Sequence, residues 1–447
     1  MSETARTWTV DTFDALTASD GTAALAKTVL VITDALDSVE TLGKLLIRIG
    51  YRVQVAYALT ETDGHGVVRG MPSLVPDAVL FHLGICGDHA DALVTTVSDH
   101  LQAPLIPLIG YLSADAERPD SLDSVLFAPA HAQQVIHRVD AMIRLQAMQH
   151  EILIRQQVLR NTFDQDTTIT PDNLIRRLRV LFIGKAHPDF MIVLNALRDR
   201  NVEVVAAFTS FTAFDYLHGR EFDAVIIDAT RAAEPATSIL SSMARNVRLY
   251  HMPKIVLTED GADHVSAELL DRATDVITGK YETRELANRI MEPANYHRLH
   301  SELRAEFDVM GDAKVRDADT GLYSLAMLEA YLAELRREGD TRMICRIRLT
   351  PRADYAVDPA FVRVAMAQAG GLIAGLVRIN DLTARIADDE FAVAVPIMST
   401  HNLERLTQRI TDVIECAAFE SGKKDSGPFT MIADVRLDAP EGLHEAA

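Results

Sequence analysis

Cysteine is scarce. Cys86, Cys345 and Cys416 are the three in 447 residues, widely spaced and without a CxxC pair. They exclude a disulfide framework and a cysteine-rich zinc site. Long apolar runs are missing too, for the longest, Ala369 to Val377, falls far short of a membrane span. The opening MSETARTWTV lacks the basic-then-apolar pattern of a secretory signal, so the expected compartment is the cytoplasm, without membrane insertion. Positive charge is in deficit, with 44 Lys and Arg against 64 Asp and Glu and a formal net charge of −20. Phosphate neutralisation needs a basic face, which excludes a general nucleic-acid binder. A small anionic ligand would need a few arginines gathered locally. What is present is 48% hydrophobic and 24% charged residues, the balance of a soluble globular protein.

The length predicts about three domains, and an internal repeat supplies two of them. KTVLVITD (27–34) reads as a buried strand rich in β-branched residues, followed by helical spacing in DSVETLGKLLIRIGYRV. RRLRVLFIGK (176–185) opens the same way and leads into FMIVLNALRDRNVEVVAAF. Each copy continues with a second strand (Arg52–Ala56 and Val202–Phe208) and an Asp-led third (76–82 and 222–228). A Pro-flanked fourth (103–110 and 252–258) and a short fifth (124–129 and 274–279) close each copy. The copies lie roughly 150 residues apart, as successive compact domains do. Continuous apolar strands alternating with amphipathic helices predict two doubly wound α/β domains with parallel sheets.

The stretch 131–163 lacks Gly and Pro and keeps helical periodicity, which predicts a long helix serving as connector or dimer seam. A second helical linker is expected near 283–310. Beyond it, strands at 342–349, 382–396 and 429–437 flank helices near 325–337, 358–376 and 402–420, an α+β order with a central hairpin. The expected divisions are an N-terminal extension (1–26), a first α/β domain (27–145), a linker (146–175), a second α/β domain (176–295), a linker (296–314) and the α+β domain (315–447). The last ten residues read as a frayed end.

With their strand order and Asp-led third strands, 27–145 and 178–295 resemble receiver domains of two-component response regulators. That family transfers phosphoryl groups to an aspartate with the help of an acidic Mg²⁺-binding pair, a Thr or Ser and a Lys. The first copy departs at each of these places: Thr33-Asp34 for the acidic pair, His82 for the acceptor, Ile109 and Ala128 for the Thr and Lys. It is expected to keep the fold without the phosphorylation. The second keeps Asp228 as a candidate phosphoacceptor and Thr258, but has Gly184-Lys185 for the acidic pair and Gly279-Lys280 on the fifth strand. An ion pair between Lys185 and Asp228 is expected there.

Residues 315–440 resemble a GGDEF domain, the family of diguanylate cyclases that join two GTP into cyclic di-GMP. DADTGLYSLAMLEAYLAEL (317–335) is similar to the family's opening DxLTGLxNRR and keeps Asp317, Thr320, Gly321 and Leu322. Ser324 and Ala333 stand where the guanine-reading Asn and its assisting acid belong, and Arg346-Ile347-Arg348 replaces Asp-Ile-Asp. The signature Gly-Gly-Asp-Glu-Phe is Ala387-Asp388-Asp389-Glu390-Phe391. Glycines there would let backbone approach a nucleotide, whereas Asp388 adds bulk and negative charge beside a triphosphate. Asp389 keeps the metal-ligand position but is expected to face the two arginines, which makes a poor Mg²⁺ site. The resemblance therefore implies a lost cyclase: no catalytic residues, no metal and no cofactor.

Five residues before the signature, many GGDEF domains carry an RxxD site that binds cyclic di-GMP. Arg378 and Asp381 match it in spacing and register, and Arg409 lies where a second arginine often completes it. Arg presents a planar fork to guanine and phosphate, and Asp accepts from guanine N–H groups. Without that register the pair would be only an exposed Arg–Asp contact at a strand edge.

Receiver–receiver–GGDEF with an eroded cyclase site and an intact RxxD is similar to a class of cyclic di-GMP effectors. That resemblance implies a homodimer, a location at the cell pole, and as partners the RcdA adaptor and the ClpXP protease machinery in cell-cycle-regulated proteolysis. Two rival readings are a weak diguanylate cyclase using Asp389 and Glu390, and a phospho-regulated scaffold working through Asp228.

Overall fold

The computed structural model describes residues 27–34, 36–60, 66–69, 75–82, 90–101, 105–112, 118–128, 130–165, 176–246, 248–259, 265–279, 282–352, 359–420 and 428–438. The N-terminal extension, Cys86, Lys280 and the end of the chain lie outside them. Two compact units are distinguished, Met1–Gln146 with Pro171–Glu302, and Ala147–Thr170 with Leu303–Ala447.

The first unit holds both repeats. In the first, β1 (Thr28–Thr33), β2 (Arg52–Thr60), β3 (Gly66–Arg69), β4 (Ala78–His82), β5 (Leu108–Leu112) and β6 (Ser124–Phe127) form a sheet of order β3-β2-β1-β4-β5-β6. Helices α1 (Leu36–Arg48), α2 (Ala90–Leu101) and α3 (Ala132–Phe163) go with it. Every pairing is parallel except β2 with β3. That hairpin was not expected: the second strand runs on to Thr60 and turns back into an edge strand.

The second repeat has β7 (Leu178–Ile183), β8 (Val202–Ala207), β9 (Ala224–Asp228), β10 (Lys254–Thr258) and β11 (Asp275–Thr278), in the order β11-β10-β9-β7-β8. Its helices are α4 (Pro188–Leu197), α5 (Ser210–Gly219), α6 (Ala233–Arg245), α7 (Ala267–Arg272) and α8 (Thr283–Val309). Without the extra edge strand both sheets have the 2-1-3-4-5 order of the flavodoxin-like doubly wound fold. Residues of β1, β7 and β10 are buried almost end to end, because helices cover both faces of a parallel sheet.

The repeats meet through equivalent positions. Ser124 and Asp275 each open a fifth strand, and each is met by an arginine 14 residues on, Arg138 and Arg289. The buried Arg289 forks onto Asp275 at 2.9 and 2.6 Å, while Gln134 of the first repeat donates to the same carboxylate at 2.7 Å. Arg138 donates to Ser124 and faces Glu292 of the second repeat at 3.9 Å.

The second unit contains β12 (Tyr323–Ser324), β13 (Arg342–Pro351), β14 (Leu382–Ala387), β15 (Glu390–Pro396) and β16 (Met431–Asp438), ordered β12-β14-β15-β13-β16. Its helices are α9 (Leu325–Glu338), α10 (Pro359–Leu376) and α11 (Thr400–Cys416). The sheet is antiparallel apart from β12 with β14. Ser324 caps α9 by accepting from Met327 N, and Gly339 ends it at φ 77°, a conformation glycine adopts freely. The second half of α3, expected as linker, is built into this unit. Leu159 and Ile152 are buried, and Gln157 donates to Glu334 at 2.6 Å. Among the described residues no helix is long and apolar enough to cross a membrane.

Candidate functional site

The two ends of β14 carry the residues singled out by sequence. At its C-terminal end the β14–β15 hairpin pairs Ala387 with Glu390, leaving Asp388 and Asp389 as a two-residue turn. Neither has a positive φ, so the turn requires no glycine here. The Asp389 carbonyl accepts from Leu349 N at 2.9 Å, which ties the turn to β13.

The arginines of β13 face a different carboxylate from the one expected. Antiparallel register sets Arg348 opposite Glu390. Glu390, 8% exposed, receives Arg346 on Oε1 at 2.9 Å and Arg348 on Oε2 at 3.2 Å. Asp389 is instead at the exposed tip, and its carboxylate has no partner among the described residues. The cause is the period of the strand: alternate residues share a face, so Glu390 and not Asp389 meets Arg346 and Arg348. Phe391, which follows, points into the core.

Arg385 had not been singled out. Its side chain, 9% exposed, reaches Asp317 at 3.1 Å and Asp319 at 3.2 Å, and it donates to the carbonyls of Ala387 and Asp388. One guanidinium thus staples the signature turn to the DADTG segment. Burial pushes the Asp317 carboxyl up, but hydrogen bonds from Thr320 and from Arg385 outweigh it and hold it below its ordinary value. Among the described residues no three His, Cys, Asp or Glu side chains converge as a metal site.

At the N-terminal end of β14 the turn is built otherwise. Asp381 N donates to the Arg378 carbonyl, and Arg378 N donates to Asp381 Oδ2, both at 2.9 Å. The carboxylate therefore faces inward. It is 7% exposed, and its Oδ1 is buried with no hydrogen-bond partner. Burial pushes its pKa up to about 6, which nearby Arg378 lessens and Glu151 reinforces. The Arg378 side chain is exposed and makes no side-chain hydrogen bond or close ion pair among the described residues, though its charge is felt by Asp381. Arg409, on α11, donates to the Leu376 carbonyl at 2.5 Å and so stands beside the segment leading into Arg378. Of the three RxxD-site residues, two arginines sit at the surface of one turn and the aspartate shapes it from within.

In the second receiver-like domain Asp228 ends β9, and its Oδ1 accepts from Thr230 N at 3.0 Å and Thr230 Oγ at 2.7 Å. Lys185 is exposed and pairs with no carboxylate among the described residues, so the expected Lys185–Asp228 ion pair is not formed. Thr230 takes that place because it is two residues away, and its backbone and hydroxyl are already aimed at the carboxylate. A Cβ on Gly184 would lie 2.6 Å from Asp228 Cβ, so the Asp228 and Phe182 side chains fill the room an acidic side chain would need. Thr258 is buried, and Gly279 takes a positive φ at the end of β11. In the first receiver-like domain His82 stacks on Tyr111 with centroids 4.7 Å apart, and burial lowers its pKa. Asp34 is exposed, Ile109 fully buried and Ala128 half-buried.

No family model matches the sequence, and no curated protein matches it. Solved structures similar to parts of the chain are of two kinds. A response regulator from Thermotoga maritima is 18% identical, covering 27% of this chain and 98% of its own, with a TM-score of 0.24. The diguanylate cyclase SiaD of Pseudomonas aeruginosa, solved with its activator SiaC, is 20% identical over 32% of this chain and 56% of its own, TM-score 0.24. The FimX GGDEF domain of the same organism is 19% identical over 28% of this chain and 82% of its own, TM-score 0.23.

Proposed function

We propose that this chain is a non-enzymatic cyclic di-GMP receptor that acts as a signalling adaptor. The observation that carries the reading is the contrast along β14. At the signature, Glu390 and Asp317 are engaged by Arg346, Arg348 and Arg385, whereas the exposed Arg378 side chain makes no hydrogen bond or close ion pair among the described residues. A guanidinium with its fork free can take a phosphate or the acceptor edge of guanine in two parallel hydrogen bonds, and can stack on a base. Arg409, beside the same turn, adds a second positive charge for a dianionic ligand. Asp381 serves the site through the turn it closes.

The signature lends itself poorly to catalysis. Two-metal positioning of a triphosphate needs carboxylates free to bind cations, and Glu390 and Asp317 are instead neutralised by arginine. Ligand at Arg378 would act by differential affinity for two arrangements of the chain, giving or removing a partner surface. The finer reading is an effector similar to PopA, homodimeric and working with the RcdA adaptor and ClpXP at the cell pole. It rests on domain order and motif register alone.

Calorimetric titration with cyclic di-GMP tests the receptor: wild type binds, and Arg378→Ala does not. Equal affinity in the two proteins would sink the assignment. Incubation with GTP and Mg²⁺ tests the rival enzyme. Product formation that disappears in Asp389→Ala would restore a cyclase.

A further inference from the structure

The RxxD turn is held from behind by a residue far away in sequence. Arg155, on the second half of α3, is 3% exposed and donates from its terminal nitrogen to the Asn380 carbonyl at 3.1 Å, across 225 residues. Its Nε donates to Glu151 Oε1 at 2.7 Å. Its guanidinium lies over the rings of Phe307 and Tyr323, with centroids at 4.8 and 5.6 Å. Glu151, equally buried, receives the Tyr331 hydroxyl at 2.8 Å on its other oxygen and faces Arg342 at 3.8 Å. A charge this deeply buried persists only when its partners are all in place, so the orientation of Arg155 is fixed on every side.

Asn380, half-buried like Ile379, lies in the turn between the exposed Arg378 and the buried Asp381. The turn is thus gripped at adjacent places, by Asp381 on the Arg378 N–H and by Arg155 on the Asn380 carbonyl. Neither grip uses the Arg378 side chain, which is left pointing outward in one fixed backbone frame.

We propose that Arg155 is a positioning residue for the cyclic di-GMP site. It holds the Asn380 carbonyl so that the turn presents Arg378 beside Arg409, and the ligand-binding unit includes the second half of α3, which carries Arg155. The proposal rests on the receptor reading above and adds a determinant of affinity that makes no contact with ligand. Pre-ordering a binding turn removes the entropy that ligand would otherwise spend ordering it.

The test uses the full chain with Arg155→Lys, which keeps a positive charge facing Glu151 but lacks the fork that also reaches Asn380. Two measurements are made: calorimetry with cyclic di-GMP, and native-state hydrogen exchange of the peptide covering 376–382. The expected result is about tenfold weaker binding, with faster exchange confined to that peptide. Binding within about twofold of wild type, with exchange at 376–382 unchanged, overturns the proposal. Faster exchange throughout the unit, showing a purely structural role, overturns it as well. If Arg155→Lys does not fold, the double variant Arg155→Met with Glu151→Gln, which leaves no uncompensated buried charge, is read in the same way. Should wild type bind no cyclic di-GMP, the receptor reading fails, and exchange at 376–382 alone then decides whether Arg155 holds the turn.

Discussion

The two ends of β14 solve opposite problems with the same kind of residue. At the signature, Arg346 and Arg348 share the Glu390 carboxylate and Arg385 is held by Asp317, so each is engaged by an acid of the protein itself. At the RxxD turn, Arg155 does the inward work from behind, and Arg378 is left to face solvent. Arginine content is therefore no guide to a ligand site. What separates an arginine left at the surface from a stapling one is whether the fold already supplies its acceptor. The receiver-like pair teaches the same lesson: Arg138 and Arg289 hold equivalent places, yet one meets Ser124 and the other Asp275.

The contrast can be broken most severely at Arg155. Arg155→Ala strands the Glu151 carboxylate in the interior, and such a loss costs about 3–5 kcal/mol. It should appear as a lower urea midpoint for the C-terminal unit, and Glu151→Gln in the same chain should recover much of it. A midpoint unchanged by Arg155→Ala would show that the buried pair contributes nothing.

A smaller effect separates Asp381 from the signature acids by pH. Its folded pKa of about 6 lies above the ordinary aspartate value, so the folded state holds the proton more tightly than the unfolded one. Its contribution to stability is present in full below about pH 4 and is lost as pH rises through about 6, on the order of 3 kcal/mol. Asp317, held low, has the opposite sign: its contribution is present above the ordinary aspartate value and is lost as pH falls through the lowered one. Urea unfolding at stepped pH should show the loss between about pH 4 and 6 removed in Asp381→Asn. A slope identical to wild type would mean that Asp381 is charged and paired.

The smallest expected effect sharpens the comparison most. Glu390→Gln keeps the shape of the signature hairpin and weakens its partly exposed ion pairs, lowering stability by about 1 kcal/mol and leaving ligand affinity alone. Arg378→Ala should do the reverse, with stability within about 0.5 kcal/mol of wild type, as for an exposed side chain without partners. If Glu390→Gln abolished binding and Arg378→Ala did not, the ligand site would have been assigned to the wrong end of β14.

Much of the scaffold was legible in the sequence. Apolar β-branched runs such as VLVIT and RVLFI become strands of both parallel sheets, because period and composition are local properties. The extra hairpin with β3 escaped notice because Gly66–Arg69 is four residues long and carries no pattern of its own. Part of the site was legible as well. The distance from Arg378, in the turn before β14, to Ala387 at its end is set by sequence, and so is the hairpin that follows.

The assignment of charges to partners was not legible. Asp389, Glu390, Arg346 and Arg348 are all visible as residues, but only the register of β13 against β15 decides that Glu390 meets the arginines. Arg385 lies two residues before the signature, so its reach to the turn's carbonyls had a local signal, whereas its hold on Asp317 spans 68 residues. Arg155 had none. Sequence by itself determined the elements, their repetition and the spacing of motifs within one strand, since these follow from neighbours a few residues apart. Tertiary structure alone decided which arginines are consumed and which is left to face solvent, because a buried charge is fixed by whatever the packed chain brings against it.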